Sequence, residues 1–167
     1  MQRPALFLCV MVTMLVAAPG AIARDSLGMF GRWGAFRDAG VPRCYAIAMA
    51  HAGRGDARGD FQPYVDVAWW PKRGVRGQLH VRLSRRPGDG PITLTIGDQS
   101  FRLVGGGGEA WAADERMEAA ILAAMRSASG LRISARGGNG RGFTDHYDLT
   151  GAPTAMDAAA MGCAGAR

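Results

Sequence analysis

Much of this chain alternates apolar and polar residues with a period of two. That is the pattern of antiparallel strands with one buried face and one wet face. The segment "YAIAMA" sets Tyr45, Ile47 and Met49 against Ala46, Ala48 and Ala50. In "YVDVAWW", Val65, Val67 and Trp69 share one face, and Tyr64, Asp66 and Trp70 share the other. "QLHVRLSR" is the most regular, with Leu79, Val81 and Leu83 inward and His80, Arg82 and Ser84 outward. "ITLTIGDQSFRLV" predicts a hairpin turning at Gly97-Asp98, and "LRISAR" and "FTDHYDL" predict two further strands.

Two segments follow the helical period instead. "DERMEAAILAAMRSASG" spaces Met117, Ile121, Ala124, Met125 and Ala128 along one helix face. Asp114 can cap its start, Glu115 and Glu118 suit the positive end of the helix dipole, and Gly130 can end it. "APTAMDAAAMGC" predicts a second, alanine-rich helix with Pro153 in its first turn and Gly162 as its stop. Glycine clusters connect the elements. The predicted fold is mainly β: an antiparallel β-sandwich with one inserted helix and a C-terminal helix.

The first residues change where this fold is expected to work. Arg3 precedes an apolar run from Ala5 to Ala18, Pro19 and Gly20 break the run, and Ala21-Ile22-Ala23 forms an A-x-A cleavage site. Residues 1–23 therefore read as a signal peptide, and residues 24–167 as a single β-rich domain. The expected location is the periplasm or the exterior of a bacterial cell. No later segment approaches the roughly 20 apolar residues of a membrane helix, so no membrane span is expected after cleavage. Of three cysteines, Cys9 lies in the leader, which leaves Cys44 and Cys163. An even pair in an exported chain reads as one disulfide; two free thiols suit an oxidising compartment less well.

The formal net charge is +6, and its distribution is uneven. Between Lys72 and Arg86 the chain carries Lys72, Arg73, Arg76, Arg82, Arg85 and Arg86 with no acidic residue. A clustered positive face attracts anionic polymers or surfaces: lipopolysaccharide, anionic phospholipid or a polyanionic partner. The competing reading is a solvated, solubilising face. Nucleic acid is a poor candidate, given the compartment and the lack of a recognition motif. Among the tryptophans, Trp70, followed by Pro71, is the candidate for a surface patch beside this strip.

Other motifs carry less. Arg54-Gly55-Asp56 and Arg58-Gly59-Asp60 repeat a cell-adhesion tripeptide, but in a glycine- and arginine-rich loop such a repeat arises cheaply. His51, His80 and His146 lie in separate segments, and alternation sends His146 to the face opposite Asp145. No metal-ligand spacing, phosphate loop or cofactor motif is visible.

The order of segments resembles the invasion-associated locus B family of exported alphaproteobacterial proteins. The likeness lies in "FGRWGAF", "RCYAIAMA", "ITLTIGDQSFRL", "AAMRSASGLRIS" and "TDHYDLTGAPTAMDAAAMGC". Its most specific step is Tyr147-x-Leu149-x-Gly151 into the small-residue helix. Family members often carry a further cysteine shortly after the first tryptophan. Here Trp33 is followed by "GAFRDAG", which marks a divergent relative. The resemblance implies a small envelope-associated β-sandwich without established enzymatic activity or family-wide catalytic residues. The expectation is an exported, non-enzymatic protein binding an anionic envelope component or another envelope protein. The alternative is a small periplasmic hydrolase with a site assembled from His80, His146 and carboxylates.

Overall fold

The computed structural model describes residues 24–38, 40–51 and 59–165. The predicted signal peptide, the first Arg-Gly-Asp and Arg58 of the second lie outside the described residues. The described elements are β1 (Arg24–Phe30), β2 (Trp33–Asp38), β3 (Arg43–Met49), β4 (Tyr64–Trp70), a 3-10 turn (Pro71–Arg73), β5 (Val75–Arg82), β6 (Ile92–Ile96), β7 (Gln99–Gly106), β8 (Glu109–Trp111), α1 (Glu115–Ser127), β9 (Gly130–Arg136), β10 (Gly142–Asp148) and α2 (Ala152–Gly162). The strands pair in the order β1-β2-β3-β4-β5-β8-β7-β6-β9-β10, antiparallel throughout.

β7 divides this sheet into two halves. Its residues Ile96-facing Gln99 to Leu103 pair with β6, whereas Val104 to Gly106 pair with β8. Both halves contribute to one hydrophobic core, with Val65, Leu79 and Val81 from the first and Leu94, Ile133 and Phe143 from the second. Two hydrogen bonds tie β10 back to the first half. The His51 backbone N–H donates to the His146 carbonyl, and the Trp33 indole N–H donates to the Asp148 carbonyl, each at 2.8 Å. The expected mainly β, sandwich-like fold with an inserted and a C-terminal helix is what the chain forms.

Both helices start as the sequence predicts. The Asp114 carboxylate accepts from the Met117 N–H at 2.8 Å, and α1 buries Ile121, Ala124 and Met125. Its end differs: Ala128 already has extended backbone, and Gly130 opens β9 by pairing with Asp148 instead of stopping the helix. α2 packs on β1, β2 and β3. It buries Ala152, Ala155, Met156 and Ala159, and the sheet meets it with Ala35, Cys44, Ala46 and Ala48. Small residues on both surfaces let helix and sheet approach closely. The large side chains of β3 therefore face the other way: Tyr45, Ile47 and Met49 lie on the side of the sheet that α2 leaves open.

Candidate functional site

A bulge in β5 decides where the basic strip goes. Ala68 pairs with Gln78 but Trp69 pairs with Arg76, which leaves Gly77 unpaired at φ 86°. That backbone conformation favours glycine, and a Cβ there would also lie 2.6 Å from Leu122 of α1. One extra residue reverses the alternation of a strand. Arg76 accordingly shares the helix-covered side with Trp69, while Gln78, His80 and Arg82 keep to the open side. The strip is divided between two sides of the sheet, not gathered on one face.

On the open side the arginines are engaged. Arg82 is bonded to Glu109, and its guanidinium lies 3.8 Å from the Phe61 ring centroid. Arg86 lies 5.7 Å from the same ring, and its backbone N–H donates to Asp60 at 3.1 Å. Arg85 is half-buried. The Trp70 ring takes Arg43 at 5.1 Å and Arg73 at 4.7 Å, both cation–π contacts. Trp70 is thus half-buried under arginines, and the patch it forms is an arginine–aromatic one.

His80 sits at the centre of the open side. Its Nδ1 lies 3.1 Å from Asp66 Oδ2 and its Nε2 lies 2.6 Å from Glu109 Oε2. Trp111 stacks on its ring at 5.3 Å, and Tyr64 meets it edge-on at 5.6 Å. An imidazole donates from both nitrogens only as the imidazolium. With a carboxylate on each nitrogen, neither is left to act on a substrate. The two carboxylates also sit at opposite ends of the ring, so they do not converge on a common ligand. Among the described residues no three His, Cys, Asp or Glu side chains are grouped to hold a metal ion. His146 is exposed on β10, opposite Arg132, in the other half of the sheet. The structure therefore joins His80 to Asp66 and Glu109 and not to His146.

The helix-covered side carries an open cleft of about 700 Å³ between the end of α2 and the neighbouring strands. Trp69, Val75 and Arg76 form its sheet wall, and Ala160 and Ala164 its helix wall. The Cys44–Cys163 disulfide borders it, with Cα atoms 5.7 Å apart. It ties the residue that follows α2 to β3. Pro71 and Gly74 border the cleft, which places the exposed Lys72 and Arg73 of the intervening turn beside it. Lys72, Arg73 and Arg76 form no ion pair with any described residue.

A fourth feature, Glu118, lies behind β5. β8 is too short to pair with all of β5, and Glu118 Oε1 accepts the Leu79 N–H at 2.6 Å in place of a strand partner. Burial pushes this carboxyl up to about 7, and the bond from Leu79 pulls the other way.

Sequence reasoning did not single out Asp66 or Glu109. The available signal was an acid at an outward position of the otherwise apolar "YVDVAWW", but only strand register places it against His80. No protein-family model, curated protein or solved structure matches this chain.

Proposed function

We propose that this is an exported, non-enzymatic protein of the bacterial envelope that binds an anionic envelope component beside the cleft between α2 and β4–β5. Its kinship with the invasion-associated locus B family is part of the same proposal. One observation carries the reading: Lys72, Arg73 and Arg76 have no carboxylate partner among the described residues, whereas Arg82 is held by Glu109. An unpaired cation attracts an external anion directly, while a paired one must first give up its partner. Trp69 and Val75 beside Arg76 offer apolar contact to the same ligand. The disulfide suits an oxidising compartment.

The test is co-sedimentation with phosphatidylglycerol vesicles, using phosphatidylcholine vesicles as control. Wild-type protein should be retained by the anionic vesicles and released as salt is raised from about 0.05 to about 0.5 M, because exposed charges are screened. The triple variant Lys72→Gln, Arg73→Gln, Arg76→Gln should lose retention, and Arg82→Gln should keep it. Equal loss in both variants, or retention that ignores salt, would overturn the reading.

A further inference from the structure

The open side of the sheet holds a shallow dish, separate from the cleft. Strand register places Ala68 of β4 between Tyr45 of β3 and Gln78 of β5, so the smallest side chain of that row stands among larger ones. The depression over Ala68 has a volume of about 200 Å³. Trp70 and the stacked pair His80–Trp111 bound it, and Arg43, Asp66 and Gln78 reach into it.

Two features define what could lie there. The first is the set of unused polar atoms. Asp66, with only 10% of its side chain exposed, gives Oδ2 to His80 and keeps its other oxygen without a protein partner. Arg43 gives Nε and Nη2 to Asp38 and keeps Nη1. Gln78 is exposed, and its amide forms no hydrogen bond with any described residue. Acceptor, donor and a group that is both thus surround an apolar floor. The second feature is charge. The arginine that lines the dish, Arg43, is already held by Asp38, and both ring nitrogens of His80 are taken by Asp66 and Glu109. An anion would find no unpaired arginine or lysine in the lining, and a cation would have to share Asp66 with His80.

We infer that the dish is a binding subsite for a neutral pyranose unit of a glycan. Such a ring presents adjacent hydroxyls, each donor and acceptor, which match Asp66, Arg43 and Gln78, and C–H faces that pack on indole. Size points the same way. The volume is below the roughly 300–1,000 Å³ of pockets that enclose a drug-sized ligand, so it takes one ring and leaves the rest of the chain on the open face. Trp111, 36% exposed beyond its stack on His80, is placed to carry a neighbouring ring. The inference does not depend on anion binding at the cleft.

The test is a titration followed by the indole N–H signals of the tryptophans. The probes are isomaltotriose, the trimer of N-acetylglucosamine and, for contrast, trigalacturonate. At least one neutral trimer should shift Trp70 and Trp111 saturably while Trp33, buried and bonded to Asp148, stays fixed. Ala68→Leu, which fills the floor, should weaken binding by about tenfold or more. If that variant fails to fold, Gln78→Ala, at an exposed position without partners, carries the same expectation. The inference is overturned if neither neutral trimer gives a saturable shift, if only trigalacturonate binds, or if Gln78→Ala binds as wild type does.

Discussion

Among the described glycines, Gly151 leaves an added Cβ the least room. It forms the N-cap of α2 at φ 88°, and an added Cβ would fall on the carbonyl of Phe30, 2.6 Å from its carbon. That carbonyl belongs to the last residue of β1, which pairs with Trp33 of β2, so backbone would have to move, and α2 and β2 would move with it. Gly74 provides the comparison: its φ is 69°, but an added Cβ there meets nothing within 4 Å. Gly74→Ala should therefore cost only the left-handed backbone penalty, roughly 1–2 kcal/mol. Gly151→Ala should cost clearly more, because steric overlap adds to the same penalty. Urea denaturation of the two variants measures the difference, and equal losses would mean that the two turns are not in contact. Glu118 gives a second prediction at this scale. Its folded carboxyl is raised to about 7 from 4.5, so the folded state binds the proton more tightly than the unfolded chain. The associated stabilisation is complete below about pH 4.5 and is lost as pH rises through about 7, an effect on the order of 1–3 kcal/mol after allowing for partial exposure. Glu118→Gln keeps an acceptor for the Leu79 N–H and does not titrate. Wild-type Tm minus variant Tm should therefore fall between pH 5 and pH 8; a flat difference would refute the assignment.

At the scale of elements, strands with unbroken alternation were legible and interrupted ones were not. β5 from Leu79 onward, β6, β9 and β10 follow the period their residues announce. β1 does not, because its register shifts between Ser26 and Gly28 and throws Met29 onto the same side as Gly34. β8 is only three residues long, too short for any period to show. The bulge at Gly77 is the costliest of these interruptions for the site. Alternation alone assigns Arg76 to the face of His80 and Arg82, and the bulge sends it to the other. The dish shows the same limit. Asp66, Gln78 and His80 can each be read as outward positions, yet their meeting depends on register, which the sequence leaves open. The faces of single strands were in the sequence. The pairing of strands, where polar groups become a site, was not.

For the molecule as a whole, the disulfide decides which part is held covalently and which only by packing. Cys44 lies in β3 and Cys163 follows α2, 119 residues apart in the chain. In the chain-entropy account, closing a loop on the order of 100 residues is worth about 4.7 kcal/mol, although measured contributions run from roughly 0 to 5. Where the loss appears on reduction depends on what else holds the elements. The start of α2 is fixed by the contact between Gly151 and Phe30 and by the indole bond from Trp33 to Asp148. Its far end has alanines, which bury little apolar area each, and the helix's one ion pair among the described residues, Arg126 with Asp157, lies at mid-helix with 44% and 58% of the two side chains exposed. Such a pair contributes roughly 0–1 kcal/mol. The sheet keeps its full ladder and the core formed by Leu79, Leu94 and Ile133. Reduction should therefore release the end of α2 before the sheet melts. Hydrogen exchange on the reduced protein should show protection lost first from Ala159 to Cys163 and retained in β9 and β10, and the Cys44→Ala, Cys163→Ala variant should behave alike. Because α2's end is one wall of the cleft, the same treatment should weaken retention on phosphatidylglycerol vesicles while leaving the dish over Ala68 intact. Simultaneous loss of protection in α2 and the sheet would show instead that the tether stabilises the fold as one unit.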